Sequence, residues 1–577
     1  MSKMASRTRN TPVEVRRRTA VPVSEPAKSW NWLLLFAGAL ALTFLAFGPS
    51  LDGVFVFDDF HLPFADAHAG EMPARFWIGG VRPILIATYW ANFLISGKHP
   101  FSYHLVNLLL HAGTGVLVFF ILNRLLEISG LKDGRRRWYA LFGAALFLLH
   151  PLQTESVDYV AGRSELVAGI LFFASWWVFL RSFESATRVG TAIGVLLLAG
   201  AAVLGKESAI CLPAILIATD LFWAQEGVVA QFRKRLKLYI PFVLGGVAGA
   251  LFILRSLTTG GAGTAAGVSP LSYALTQCKV ILIYIRLFFV PLGQNGDWQL
   301  PFFHSLGAGG AWIYVVALGS LCAAIVWLYK RDRLAAFGLL VFLLMLAPTS
   351  SVVPIKDALA ERRMYAPMVG LILTVLALSL RLSVSRDSIR IAAAGVLVVC
   401  GVLSWERSEI WVSDVTFWQD SAEKNPANFR AYYGLGVALM KQGNCPRAVS
   451  AFSTARAMQP SDMQIAFDLA TAYQCDKQPG RAVPILRTIV ATQPSPGAYD
   501  LIGYLEAIQG HPPEALEALN NALRMDPNNA VAYAYRGLTK LALKQDEAAA
   551  ADFARALEID PNNGTASNGL AVLAGQR

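Results

Sequence analysis

The sequence predicts an all-α protein in two parts, a polytopic transmembrane helical domain followed by an α-solenoid of paired-helix repeats. Three observations predict it. The 577 residues are 55% hydrophobic and only 15% charged, whereas soluble globular chains carry about 25% charged residues. Long apolar runs recur from residue 30 to residue 404. Residues 427–563 then become Ala-rich, charge-balanced and periodic. One soluble enzyme, a disordered chain and a disulfide-stapled fold are excluded, the last because six cysteines in 577 residues define no framework. The net charge of +11 lies wholly in residues 1–425, with 37 Lys/Arg against 26 Asp/Glu, while 426–577 holds 13 of each. The excess sits between apolar runs, as positive-inside orientation signals do, rather than on a soluble basic face, so no nucleic-acid partner is expected.

Residues 1–29 form a polar, basic tail expected in the cytoplasm (Arg7, Arg9, Arg16, Arg17, Arg18). Residues 30–48 are uncharged and about long enough to span a bilayer at ~1.5 Å per residue, so they read as a retained first transmembrane helix. Further apolar runs fall at 101–122, 138–149, 165–180, 189–204, 208–224, 238–254, 272–291, 311–329, 334–347, 365–380 and 389–404. With the first they give about twelve helices over 30–411, since backbone in lipid must satisfy itself. Basic connectors at 132–137, 233–237, 330–333 and 381–390 are expected in the cytoplasm. The crossings do not close: three apolar runs separate 233–237 from 330–333. Either one run is re-entrant or one basic loop faces outward.

Residues 412–577 read as a half repeat plus four repeats. Pro460, Pro494, Pro527 and Pro561 recur at spacings of 34, 33 and 34. Ala448, Ala482, Ala515 and Ala549 keep step, as do the small residues Gly436, Ala470, Gly503 and Gly537 and the bulky Phe452, Leu486, Leu519 and Phe553. This pattern resembles the tetratricopeptide repeat: paired helices, small residues where they cross, and Pro where the second helix stops. Residues 412–424 look like a capping half repeat, and 564–577 like a frayed tail. Tyr432, Tyr433, Tyr499, Tyr533 and Tyr535 are candidate partner contacts, though aromatics on the first helix of each repeat more often pack between repeats. Cys445 and Cys475 lie in neighbouring repeats; an extracytoplasmic location would permit a disulfide, but the sequence supplies no geometry for one.

Ionisable residues at membrane boundaries are costly and usually functional. The first cluster is Phe57-Asp58-Asp59-Phe60-His61, followed by Arg75-Phe76-Trp77, Val81-Arg82-Pro83 and Asn92. His104, Asn107 and His111, spaced i, i+3, i+7, share one face of an apolar helix. Next come His150-Pro151-Leu152-Gln153-Thr154-Glu155-Ser156 and Ala161-Gly162-Arg163, then Gly205-Lys206-Glu207-Ser208, then Lys356 and Glu361-Arg362-Arg363-Met364-Tyr365. A divalent metal on His61, Asp58 and Asp59 is conceivable, but no ligand set has convincing spacing and none is predicted.

An Asp pair in the first external loop resembles the GT-C glycosyltransferase fold. The order Asp58-Asp59, Arg82-Pro83, Tyr103-His104, Asn107, His111, His150-Pro151, Thr154-Glu155, Gly162-Arg163, Lys206-Glu207, Glu361-Arg362 and Tyr365 resembles the transmembrane-and-tetratricopeptide-repeat family of protein O-mannosyltransferases and its bacterial-type relatives. The resemblance spans roughly residues 30–426, with repeats appended in the same order. It implies a GT-C-like membrane domain and a sugar donor carried on a polyprenyl phosphate, with no separate cofactor. It also implies transfer to a hydroxyl of protein Ser/Thr or of an envelope glycan. Such transfer needs a carboxylate base and cations for the leaving phosphate. The family motif gives the base to Asp58, with Asp59 second or orienting a neighbour. Arg82, Arg163, Lys206 and Arg362 are then expected at the donor phosphate. His104, Asn107, His111, Glu155 and Tyr365 are expected at sugar or acceptor, or bracing the loops. One base and a directly departing lipid phosphate imply inversion at the anomeric carbon. The expected partners are donor, acceptor, membrane lipids and a protein on the repeats. The expected place is a bacterial inner membrane with the repeats outside the cytoplasm. The alternative reading is a non-catalytic, membrane-anchored scaffold whose repeats recruit a secretion or polymer-export complex. A transporter would need mid-helix charges and pseudo-symmetric halves, and neither is evident.

Overall fold

A computed structural model describes residues 31–184, 187–224, 227–256 and 267–575; the basic tail 1–29 lies outside the described residues. Among the described residues the chain is helical throughout and has no strand. The membrane half is built from α1 (Trp32–Phe47), α2 (Pro83–Ser96), α3 (Pro100–Ile128), α4 (Arg135–Leu149), α5 (Arg163–Arg181), α6 (Val189–Gly205), α7 (Leu212–Trp223), α8 (Leu236–Ser256), α9 (Pro270–Phe289), α10 (Ala311–Arg331), α11 (Arg333–Leu346), α12 (Met368–Ser379) and α13 (Arg386–Glu409). Six stretches among the described residues are long and apolar enough to cross a membrane: Trp32–Asp52, Pro100–Ile128, Val160–Arg181, Pro270–Phe289, Ala308–Arg331 and Arg386–Val412. Shorter apolar helices fill the spaces between them, and the protein is a membrane protein. One apolar helix, α2, is not among the runs read from the sequence.

Helix ends gather in two layers. In one, Arg124 of α3 donates to Glu184 beyond α5 at 2.9 Å. There too, Arg381 after α12 donates to Asp332 between α10 and α11 at 2.5 Å, and Arg333 reaches the Phe222 carbonyl at the end of α7. The basic connectors sit in this layer. The opposite layer carries the ends of α1, α4 and α6, the starts of α3, α5 and α7, and the loops 48–62, 150–162 and 347–367. Between the layers the helices pack through small residues. A Cβ on Gly338 of α11 would lie 2.6 Å from the Gly370 carbonyl of α12, so these backbones touch, as small-residue interfaces in lipid allow.

Helix α9 is tied to the loop-rich layer along its length. Near its start, Tyr273 donates to the Thr349 carbonyl at 2.6 Å. At its end the Phe288 carbonyl meets His150 Nε2 at 2.9 Å. In between, Gln277 and Tyr284 donate to the carbonyls of Ala358 and Ala360 at 2.8 and 2.9 Å. Every one of these partners belongs to the loop-rich layer. Thus α9, though long and apolar enough to span, makes these contacts along that layer from one end to the other.

The C-terminal half is a tetratricopeptide-repeat solenoid. After α14 (Asp414–Lys424) come four helix pairs, α15 (Phe429–Lys441) to α22 (Asp546–Ile559), and then α23 (Gly564–Gly575). The pairs pack where the sequence places small residues: a Cβ on Gly436 would meet the Phe452 ring at 2.7 Å, and one on Gly537 the Phe553 ring at 2.6 Å. The expected frayed tail is corrected. Helix α23 buries Ala566, Gly569 and Leu573 and packs on Phe553 of the fourth repeat. Cys445 and Cys475 form a disulfide linking α16 (Cys445–Met458) to the end of α17 (Met463–Cys475).

Candidate functional site

The site is built in the loop-rich layer, from short 3-10 turns between helices. Residues 57–61 form one such turn, fixed by Asp59. This carboxylate is fully buried; it accepts from the Val56 amide at 3.1 Å and from the Ala161 amide at 2.7 Å. Asp59 therefore ties the first external loop to the loop before α5. Burial pushes its pKa up to about 8, against the opposing pull of those amides. Asp58 differs. It is half-buried, and its carboxylate has no hydrogen-bond or ion-pair partner among the described residues. Its backbone amide donates to the Tyr159 hydroxyl at 2.9 Å. The Arg362 guanidinium lies over the same Tyr159 ring, 5.9 Å from its centre. One aromatic thus brings Asp58 and Arg362 to a common site across 304 residues of sequence.

Three cations line this layer, each already paired. Arg82 forks onto Glu207, with Nε to Oε1 at 3.0 Å and Nη2 to Oε2 at 2.8 Å. Lys206 pairs with Glu165. Arg362 pairs with Glu155, which also accepts the Arg362 amide at 2.8 Å. A fourth cation, Arg363, donates to the carbonyls of Ala358 and Asp357 at 2.9 and 2.7 Å and also meets the Tyr273 side chain. Arg363 and Glu165 line a narrow cleft of about 30 Å³. Its walls include Phe172, Cys211, Met345 and Pro367, so it descends among apolar helices.

The remaining expected residues are buried and braced. Arg163, expected at the donor phosphate, is 0% exposed and its fork is filled. Its Nε donates to Asn107 Oδ1 at 2.8 Å, Nη1 to Asn92 Oδ1 at 2.7 Å, and Nη2 to the Tyr103 carbonyl at 2.9 Å. Its guanidinium stacks on Tyr89 at 4.7 Å. Asn107, buried beside it, also donates to the carbonyls of Val157 and Tyr159 at 3.1 and 3.3 Å. His111 meets the Tyr365 hydroxyl at 3.1 Å and the Leu148 carbonyl at 3.2 Å, so these two residues satisfy each other. His104 is buried against the Asp158 backbone. Of the sugar- or acceptor-binding set, Glu155 alone stands at the cation row, as Arg362's partner. Among the described residues no three His, Cys, Asp or Glu side chains form a cation-binding group, and His61 is exposed away from the Asp pair's braces.

Several contributors had not been singled out. Gln294, Asn295 and Trp298 converge on buried Glu361, the first and last through side-chain donors at 2.7 and 2.8 Å. Asp297 holds Arg430 and Asn428 of the repeats. Tyr159 and the buried Asp158 complete the floor. The available signal was the polar run 293–298 between two apolar stretches.

A tetratricopeptide-repeat family model matches residues 418–462, 433–498 and 502–564. Protein O-mannosyl-transferase TMTC4 of Homo sapiens is 26% identical over 489 residues, covering 72% of this chain and 65% of that protein. Protein O-mannosyl-transferase TMTC3 of Homo sapiens is 24% identical over 548 residues, covering 85% of this chain and 59% of that protein. The chain therefore spans about three fifths of the length of these curated relatives. Among solved structures, the tetratricopeptide-repeat protein YrrB matches 30% of this chain and 87% of its own at 23% identity, with a TM-score of 0.25. Through its membrane half and its repeats alike, the chain resembles the transmembrane-and-tetratricopeptide-repeat protein O-mannosyltransferases.

Proposed function

We propose that this chain is a membrane glycosyltransferase that moves a sugar from a polyprenyl-phosphate donor to an acceptor hydroxyl on protein Ser/Thr or an envelope glycan. One observation carries the reading: an unpartnered carboxylate, Asp58, shares Tyr159 with Arg362, in the layer where Arg82, Lys206 and Arg363 also stand. A scaffold has no use for that arrangement.

Asp58 takes the proton from the acceptor hydroxyl as its oxygen bonds to the anomeric carbon. The bond from that carbon to the phosphate oxygen breaks, and the lipid phosphate leaves with the electron pair. Arg362, Lys206 and Arg82 stabilise its charge. Their carboxylate partners hold them in place beforehand, so little reorganisation accompanies the reaction. A single displacement with one base inverts the anomeric centre. Asp59, Arg163, Asn107 and His111 are positioning residues.

The basic layer belongs in the cytoplasm by the positive-inside bias. That puts the site and the repeats outside, in the periplasm if the membrane is a bacterial inner membrane. The Cys445–Cys475 disulfide supports this side, since such bonds persist in oxidising compartments. The test is incubation of purified protein with a panel of polyprenyl-phosphate sugars, reading released lipid phosphate and acceptor mass. Asp58→Asn should abolish release without changing the melting temperature, because this carboxylate braces nothing. Full activity in that variant refutes the mechanism.

A further inference from the structure

Phe57, immediately before the proposed base, has φ +52°. The other described non-glycine residues with positive φ, Lys477 and Lys544, close helices in the repeats, where that conformation is ordinary. For a bulky side chain in a loop it is an outlier that persists only when its surroundings enforce it. The surroundings here are rings. Phe57 stacks on Tyr159 at 6.2 Å and on Phe417 at 6.1 Å, and Trp418 meets it edge-on at 5.3 Å. The Arg430 guanidinium adds a contact at 5.7 Å. Phe417 and Trp418 belong to α14, the half repeat. Both are seated against backbone: a Cβ on Gly296 would lie 2.2 Å from the Phe417 ring, and one on Gly434 of the first repeat 2.3 Å from the Trp418 ring.

We propose that the half repeat is a clamp: Phe417 and Trp418 hold Phe57 in its left-handed conformation, and so aim Asp58. The repeat domain then has a positioning function in the membrane site, separate from any capture of acceptor. The inference rests on Asp58 being the base. Turning Phe57 out of the left-handed region would swing the following residue away from Tyr159, to whose hydroxyl the Asp58 amide is bonded.

The test uses the full chain in lipid nanodiscs and two independent readouts. The first is kcat and acceptor KM for Phe57→Asn, Phe57→Gly and Phe57→Val, and for Trp418→Ala and Trp418→Phe. Asn and Gly accept positive φ, whereas β-branched Val refuses it. The clamp therefore predicts that Phe57→Val has at least tenfold lower kcat than Phe57→Asn or Phe57→Gly. Simple apolar packing predicts the reverse order. Trp418→Ala should lower kcat about tenfold, with acceptor KM within about twofold, and Trp418→Phe should restore most of it; tenfold corresponds to about 1.4 kcal/mol in the barrier. The second readout is amide hydrogen exchange over residues 56–60, which needs no turnover. The amides of Val56, Asp58 and Asp59 are all hydrogen-bonded in the clamped loop. Their exchange should rise at least tenfold in Trp418→Ala. Unchanged exchange, or Val performing as well as Asn, overturns the clamp. If the wild-type chain transfers no sugar from any donor, the glycosyltransferase reading falls while exchange still decides the clamp.

Discussion

Arg163 separates two readings of the polar residues in this layer. Replacing it with Met keeps the stem and removes the fork, leaving four acceptors facing an apolar end: Asn107 Oδ1, Asn92 Oδ1 and the carbonyls of Tyr103 and Thr88. Neither amide can simply flip. Asn107 Nδ2 is engaged with the Val157 and Tyr159 carbonyls, and Asn92 Nδ2 with Ser102 at 3.2 Å. Removing one member of a buried charged network costs about 3–5 kcal/mol. At roughly 2–4 °C per kcal/mol for a domain of about 150–250 residues, that is a loss of roughly 6–20 °C in melting temperature. Arg163→Lys keeps the charge but supplies three donors without the planar fork, and should fall between Met and wild type. The assay is a thermal melt by intrinsic fluorescence in detergent micelles, paired with donor-phosphate binding at a temperature where both proteins are folded. Arg163→Met should melt early yet, while folded, keep donor binding within about threefold. A variant that melts within about 2 °C of wild type but loses donor binding would refute the bracing role and return Arg163 to the phosphate.

Three other outcomes are expected. Thiol labelling of denatured, unreduced protein should modify four of the six cysteines. Reduction should destabilise the first two repeats by about 3–4 kcal/mol, the chain-entropy value for a loop of about 30 residues, read as faster proteolysis between Cys445 and Cys475. Asp500, 8% exposed, accepts from Asn529 at 2.7 Å, and burial raises its pKa to about 6. Its folded value exceeds its unfolded one, so its contribution is full below about pH 4 and is lost as pH rises through 6. Asp500→Asn should therefore stabilise the repeats at pH 7.5 by on the order of 2 kcal/mol and hardly at all at pH 4.5, in denaturant titrations. Finally, single cysteines at Ser269 and Val290, beyond the two ends of α9, should both label from the side on which the repeats lie; opposite sidedness would restore α9 as a span.

The repeats were legible because period is a one-dimensional property: Pro and Ala at 33–34 residue spacing survive without any knowledge of contacts. The apolar helices were legible for the same reason. Orientation was not. A run of 20 apolar residues has the same hydropathy whether it crosses a bilayer or lies along its surface, and the contacts that tie α9 to one layer leave no mark in its hydropathy. Within the site, the order of the polar clusters could be read, but burial could not. Arg82 and Arg163 look alike in sequence, each beside Pro or Gly at a helix start, yet one is open to solvent and the other has no exposed atom. The pairing of His111 with Tyr365 spans 254 residues and leaves no local trace. Asp158 and Asp297 escaped because each is a lone acidic residue in a polar loop, indistinguishable from a solvated one until the opposite face of the fold covers it.

The junction between the halves is built to hold a fixed arrangement. Arg407 at the end of α13 donates to Asp420 of α14 at 2.5 Å. Asp297, 3% exposed, accepts from Asn428 at 2.9 Å and from both arms of Arg430. Charges taken out of water cost several kcal/mol each, and their attraction offsets that only when geometry and remaining hydrogen bonds are complete. Asp297 meets the condition: it also caps its loop through Asn295, whose side chain accepts the Asp297 amide at 2.9 Å. Such a contact has little room for intermediate positions, because a partial displacement leaves a buried carboxylate or guanidinium unpaired. A flexible tether would be drawn from exposed, polar chain instead. The repeats and the membrane layer are therefore one mechanical unit at this end of the solenoid, where α13, the 293–298 loop and the half repeat meet.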